Sequence, residues 1–134
     1  MEAPRRLLPE TEDIDTRGFW EGTRQGELRL LECSSCGAIL HMPSAYCHDC
    51  GNWDTRWKTI SNLGRLHSWT VVHHQVHPGF PTPYTVVLVD LDDAPGARLV
   101  GYLDGAPALV CGQAMRARFE VLSDEVTLAQ WDPA

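Results

Sequence analysis

The sequence predicts a mainly β protein: an N-terminal helical segment, a compact zinc ribbon and a C-terminal five-stranded OB-fold barrel. Three observations carry that expectation. Two Cys-x-x-Cys pairs, Cys33–Cys36 and Cys47–Cys50, stand close together, each followed at once by a glycine, Gly37 and Gly51. Downstream of about Thr59, short β-branched and aromatic runs alternate with Gly, Pro and Asp turns, and no helical periodicity is long enough to compete. Upstream, a segment carrying Phe19 and Trp20 ends at Gly26, where a helix commonly stops.

The N-terminal part, residues 1–26, reads as a tail and a helix. Residues 1–12 are rich in proline and charge and are expected to be loosely held. The helix spans about Asp13 to Gln25, with Asp13 or Asp15 as its cap. Gly18 and Gly22 weaken it, since glycine in a helix interior costs about 1 kcal/mol relative to alanine. Such a helix must dock Phe19 and Trp20 on something else, either its own ribbon or another chain.

Residues 27–58 form the ribbon. Leu28, Leu30 and Cys33 are expected along a strand that enters the first thiol loop, with Arg29 and Leu31 pointing the other way. The run Ile39 to Pro43 returns toward the second loop. Four thiols in two short loops can close a tetrahedral shell around one ion, and a thiolate-only site without an open position suits structural Zn²⁺; iron is the alternative. Disulfides or free core thiols are the plainer readings, but paired Cys-x-x-Cys units in an intracellular-looking chain favour metal. The ribbon holds little apolar material, and metal supplies the missing folding energy, about 10–16 kcal/mol for structural zinc in small peptides. His41 and His48 lie near the thiols, but four cysteines already complete the shell.

Residues 59–134 carry the barrel. The expected strands are Arg65–His74, Tyr84–Leu91, Arg98–Leu103, Gln113–Leu122 and Val126–Trp131. The second is apolar on both faces and is expected centrally. The fourth alternates, with Met115, Ala117, Phe119 and Val121 against Arg116, Arg118 and Glu120, as a half-solvated antiparallel strand does. Five such strands remove their edges by closing into a small OB-type barrel, with a sandwich as the alternative.

Composition narrows the function. The 134 residues carry a formal charge of −7, which argues against general nucleic-acid binding, because that affinity comes from Lys and Arg on phosphates. An OB fold with Arg116 and Arg118 on one face still leaves single-strand binding as a reading. The start carries no apolar stretch after its Arg pair, and the longest aliphatic run, Val86 to Val89, is far too short to span a bilayer. A reducing cytoplasm is the expectation. Cys111 reads as a small buried hydrophobe. His67, His73, His74 and His77 beside Asp90, Asp92 and Asp93 form the best catalytic candidate, although His73 and His74, adjacent on a strand, would face opposite ways. The loop His77 to Pro83 holds three prolines, which lowers the ordering cost of presenting Phe80 to a partner. Phe19, Trp20 and Phe80 are thus the expected interface residues.

Taken together, these motifs resemble a known family. Phe19-Trp20-Glu21-Gly22 is followed by Gly26-Glu27-Leu28-Arg29-Leu30 and the first thiol pair; Met42-Pro43 precedes the second; then come Gly64-x-Leu66-x-Ser68-Trp69, Pro83-Tyr84 with its strand, and Arg118-Phe119. The order is similar to acyl-CoA-associated proteins, formerly a domain of unknown function, that join a helical segment, a rubredoxin-like zinc ribbon and an OB fold. The resemblance implies a non-catalytic subunit of a thiolase-like or lipid-transfer-protein-like enzyme that makes or breaks carbon–carbon bonds in acyl-CoA thioesters, including steroid side-chain aldolases. It implies a two-plus-two heterotetramer and, at the shared site, an acyl-CoA channel. Family members often carry arginine after the proline that precedes the second thiol pair, where this chain has Ser44; Arg56 and Arg65 are the candidates to contact a CoA phosphate instead. A stand-alone acyl-CoA-processing enzyme is the remaining alternative.

Overall fold

The computed structural model describes residues 6–134. The loosely held tail expected over residues 1–12 therefore lies partly outside the described residues. From Arg6 onward the segment is tied down. The Arg6 guanidinium pairs with Glu120 at 2.9 Å and lies over the Tyr102 ring, 4.6 Å from its centroid, and Thr11 is buried.

The helix α1 (Arg17–Arg24) is shorter than the expected Asp13–Gln25. Asp13 spends its capping capacity on a preceding turn: its carboxylate accepts the Asp15 N–H at 2.9 Å, and its carbonyl accepts those of Thr16 and Arg17. Thr16 takes the cap position without a side-chain bond. At the other end Gly26 sits at φ +73°, and the N–H groups of Gly26 and Glu27 close on the carbonyls of Thr23 and Gly22 at 3.0 and 2.9 Å. That is the paired bond pattern of a left-handed C-terminal cap, and it needs the glycine.

Gly18 and Gly22 turn out to be the price of docking. Both are buried, and a Cβ on Gly18 would lie 2.2 Å from ring atoms of Trp57, inside the indole. A Cβ on Gly22 would meet the Arg29 side chain at 2.7 Å. The helix gives up intrinsic propensity so that its backbone can lie directly on the ribbon strands.

Those strands, β1 (Leu28–Cys33) and β2 (Thr55–Ile60), pair antiparallel with Leu28 opposite Ile60 and Cys33 opposite Thr55. Strand parity corrects one expectation. Cys33 shares a face with Leu31, not with Leu28 and Leu30, because alternation repeats every two residues. Leu31 and Cys33 join Leu40 and Cys47 in a small cluster, whereas Leu28 and Leu30 enter the main core.

The remaining strands are β3 (Leu63–Val72), β4 (Tyr84–Leu91), β5 (Arg98–Asp104), β6 (Ala114–Val121) and β7 (Thr127–Pro133). They form one antiparallel sheet in the order β5-β4-β3-β6-β7. All five lie within a few residues of their expected positions. Because β3 ends at Val72, His73 and His74 fall beyond it, exposed in the following loop and not on opposite faces of a strand. β4 lies inside the sheet, between β5 and β3, next to the central β3 instead of at the centre itself; Thr85, Val87, Val89 and Leu91 point into the core, and Tyr84, Val86 and Leu88 are half-buried on the other face. On β6, Met115 and Ala117 are buried, but Val121 is 72% exposed because the strand end outruns the core.

The sheet curls until its two outer strands meet. A Cβ on Gly101 of β5 would come within 2.7 Å of the Trp131 ring on β7, and the Gln130 side-chain carbonyl accepts the Tyr102 N–H at 2.7 Å. Trp131 fills the interior with Leu66, Val87, Val89 and Met115, and Leu28, Leu30 and Ile60 of the ribbon strands belong to the same buried cluster. Ribbon and barrel thus share one core.

Gly18→Ala is expected to destabilise the protein, although alanine ordinarily favours a helix. Overpacking costs about 1–3 kcal/mol, a fall of roughly 5–10 °C in Tm for a chain of this size. A melting curve moved upward would show that the helix does not rest on Trp57.

Candidate metal centre and apolar groove

The two thiol loops are built alike. Cys33 ends β1, and a turn brings the Gly37 N–H onto its carbonyl at 2.9 Å; in the second loop the Gly51 N–H meets the Cys47 carbonyl at 2.8 Å. Both glycines adopt φ near the left-handed region, +75° and +77°, which side-chain-bearing residues rarely reach. Each turn aims backbone N–H groups at sulfur, with the Cys50 N–H on the Cys47 Sγ at 3.5 Å.

As a result the four Sγ atoms of Cys33, Cys36, Cys47 and Cys50 lie within 4.8 Å of one another. Cys33 to Cys50 and Cys36 to Cys47 are both 3.6 Å. A tetrahedral ion with metal–sulfur bonds of about 2.3 Å requires sulfurs about 3.8 Å apart. The residues therefore fit such an ion. Electrostatics agree: the Cys36 N–H directed at its sulfur brings the Cys33 thiol down to about 7. The Ala38 N–H favours a thiolate at Cys36 too, but the adjacent Cys47 sulfur and burial outweigh it and push that thiol up to about 12. Four sulfurs this close can all be thiolates only around a cation. His41 and His48 stand outside the group, His48 beside Asp49 at 3.6 Å on the surface.

The other feature is a groove of ≈ 640 Å³ on the outer face of the barrel, where α1, the loop between the thiol pairs, and strands β4, β5 and β7 converge. It brings together all three residues expected at an interface: Phe19 and Trp20 from α1, edge to face at 5.0 Å, and Phe80 from the proline-rich loop. Phe80 continues into Tyr84 and Tyr102, whose rings lie 5.2 Å apart. Met42, Val76 and Val100 line the groove and are 79%, 70% and 63% exposed. Burial pushes the His41 imidazole below its usual range, with the Arg98 carbonyl acting the other way, and the ring lines the wall. Sequence reasoning missed Met42, Val76, Val100 and Tyr102. For the last two a signal existed, since Arg98, Val100 and Tyr102 alternate along β5 and share a face.

The other candidates lie elsewhere. Arg56 reaches across the ribbon to the buried Glu32 at 2.6 Å, holding that carboxyl below the usual range, and Arg65 meets the Gly112 carbonyl at 3.4 Å; neither lines the groove. The histidines do not gather. His67 pairs with Asp90 at 2.9 Å, while His77 accepts the Gly79 N–H within its own loop. Asp90 also binds Arg98 at 2.7 Å, and Asp93 accepts the Ser61 N–H. Cys111 is exposed, contrary to expectation, because it sits at a turn between β5 and β6; its thiol donates to the His67 carbonyl and not to the ring. Arg118 is paired with Asp132 at 3.0 Å. Among the described residues no helix is long and apolar enough to cross a membrane.

Comparison with known proteins accords with this geometry. Over 132 residues, 97% of its length, the chain is 30% identical to the 3-oxo-4,17-pregnadiene-20-carboxyl-CoA hydratase alpha subunit of Mycobacterium tuberculosis, of which it covers 41%. Over 105 residues, 76% of its length, it is 36% identical to a protein of Thermomonospora curvata named "Probable enoyl-CoA hydratase alpha subunit", covering 32% of it. The chain thus spans roughly a third to two-fifths of these relatives. Among solved structures, a chain of the "Ltp2-ChsH2(DUF35) aldolase" superposes with a TM-score of 0.84 at 28% identity, covering 93% of this chain and 98% of that one. A DUF35-family protein of unknown function from Sulfolobus solfataricus, at 19% identity and a TM-score of 0.61 over 92% of this chain and 89% of that one, shares the fold. Residues 20–54 match the family model of the ChsH2 rubredoxin-like zinc ribbon domain, and residues 57–120 match that of the ChsH2 C-terminal OB-fold domain. The chain belongs to the ChsH2 family of paired zinc-ribbon and OB-fold proteins.

Proposed function

We propose that this chain is a non-catalytic accessory subunit of a thiolase-like or lipid-transfer-protein-like enzyme that acts on acyl-CoA thioesters by carbon–carbon bond cleavage or formation. The observation that carries the reading is the groove: an apolar surface lined by Phe19, Trp20, Phe80 and Tyr102 and rimmed by exposed Met42, Val76 and Val100. A folded chain that leaves such a patch uncovered ordinarily keeps it for a partner. Rim residues standing this far out of the concavity suit a protein surface, because a small molecule would leave them wet. The structural neighbour named as an Ltp2–ChsH2 aldolase, and relatives named as hydratase alpha subunits, support a two-component enzyme acting on CoA esters.

In this reading α1 and the ribbon 27–58 form the docking side, and the barrel 59–134 carries the opposite wall. Zinc at Cys33, Cys36, Cys47 and Cys50 closes the ribbon; its chemistry is structural, since four thiolates leave no position for substrate. The complex is a cytoplasmic two-plus-two heterotetramer. Arg65, exposed and held only by one long backbone contact, is the freer of the two candidates for a CoA phosphate; Arg56 is committed to Glu32.

Co-expression with a thiolase-like subunit from the same organism is expected to give one species on a sizing column. Trp20→Ala should weaken that complex about tenfold or more, as removal of a buried aromatic anchor does. Separate elution of the two native subunits, with the large one equally soluble and active alone, would end the proposal.

For the metal, Cys36→Ser should reduce bound zinc from about one ion per chain to a small fraction and lower the melting temperature. A red-brown iron–thiolate absorbance in the native protein would replace zinc by iron. Full metal content in the variant would refute the four-thiol site itself.

A further inference from the structure

The residues between the two thiol pairs serve both sites at once. Leu40 is fully buried in the cluster with Cys33 and Cys47, and its N–H donates to the Leu31 carbonyl at 2.8 Å. The next two residues leave that cluster. His41 and Met42 line the groove.

Next to this part of the groove lies a second, open cleft of ≈ 160 Å³, between α1, β1 and the same loop. Phe19, Trp20, His41, Met42 and Leu99 line both spaces and so form the partition between them. Phe19 and Trp20 are carried by α1, Leu99 by β5, and His41 and Met42 by the loop between the thiols. Of these five, Phe19 and Leu99 are packed against the main core, whereas Met42 is 79% exposed. The position of Met42 is therefore set through the backbone, from Leu40 and the sulfur cluster next to it, while His41 also meets the Arg98 carbonyl of β5. From residues 37–46 the main core receives only the partly buried Ile39.

We propose that metal binding at the four cysteines sets the width of the groove, so that the partner surface exists only on the metal-loaded ribbon. With the ion bound, the loop holds Met42 against the α1 aromatics and the groove is open. Without it, the loop detaches from Leu31 and the partition gives way, while β1 and β2 stay packed on the shared core through Leu28, Leu30 and Ile60. This rests on the groove being the docking surface, and the test separates the two claims.

The test uses the full chain with ¹³C-labelled Met, Leu and Val methyl groups, loaded with zinc and then titrated with a chelator while metal content is measured. The Met42, Val86 and Val100 methyl signals are expected to shift or broaden in step with metal loss, while those of Leu66 and Met115 keep their positions. Affinity for the co-expressed thiolase-like subunit should fall at least tenfold over the same titration. His41→Ala, which removes no thiol, should keep full metal content yet move the same groove methyls. Unchanged Met42 and Val100 signals in the metal-free protein would overturn the proposal. So would loss of the Leu66 and Met115 signals in parallel, because the metal would then hold the whole fold and not the groove. If loaded protein binds no partner, the docking role fails, and the methyl signals still decide whether metal shapes the groove.

Discussion

Four sulfurs held within reach of one cation at the end of β1 are the constraint on which the ribbon, and the groove beside it, depend. The ribbon's own cluster amounts to Leu31, Leu40 and two of the cysteines, with Ala38 and Trp57 packed against it. That is too little apolar surface to hold two loops and a hairpin against chain entropy. A metal clip worth about 10–16 kcal/mol of apparent binding energy changes the balance. Once the ribbon is closed, Trp57 becomes a fixed platform, and α1 can lie on it because Gly18 has no side chain to strike the indole.

The same closure explains why helix, ribbon and barrel behave as one body. Leu28 and Leu30 send one face of β1 into the barrel core while Leu31 and Cys33 send the other toward the four sulfurs. A single strand thereby transmits position between the two. The groove forms where this transmission reaches the surface: α1 supplies one wall, the loop between the thiols the next, and the outer faces of β4, β5 and β7 the floor. Its aromatic lining is left half-covered because no element of the described chain lies over it. The polar groups at its ends are already engaged, Arg6 with Glu120 and Arg98 with Asp90, so the surface offers shape and apolar area more than charge.

Much of this was legible in the residues. The thiol pairs and their glycines announced the ribbon because metal-ligand spacing is local, and the five strands followed from alternation, which is equally local. The errors share a cause. The helix start was placed too early because Asp13 can cap a turn as readily as a helix. The apolar neighbours of Cys111 imply burial, but the turn at that position directs it outward. The histidines were read as a cluster because they are near in sequence, yet His67 finds Asp90 and the others stay in a loop. The glycines of α1 counted against the helix until the ribbon strand behind them was in view.

The amino-acid order by itself determined the paired thiol loops, the strands and the interior place of β4 in the sheet. Only the tertiary structure decided that Phe19, Trp20 and Phe80 share a groove with His41 and Met42. Spacing and periodicity act over a few residues, whereas the groove joins side chains from Phe19 to Gln130 whose meeting depends on how the ribbon docks and the sheet curls. Such non-local contacts are fixed by packing, and packing is a property of the assembled chain.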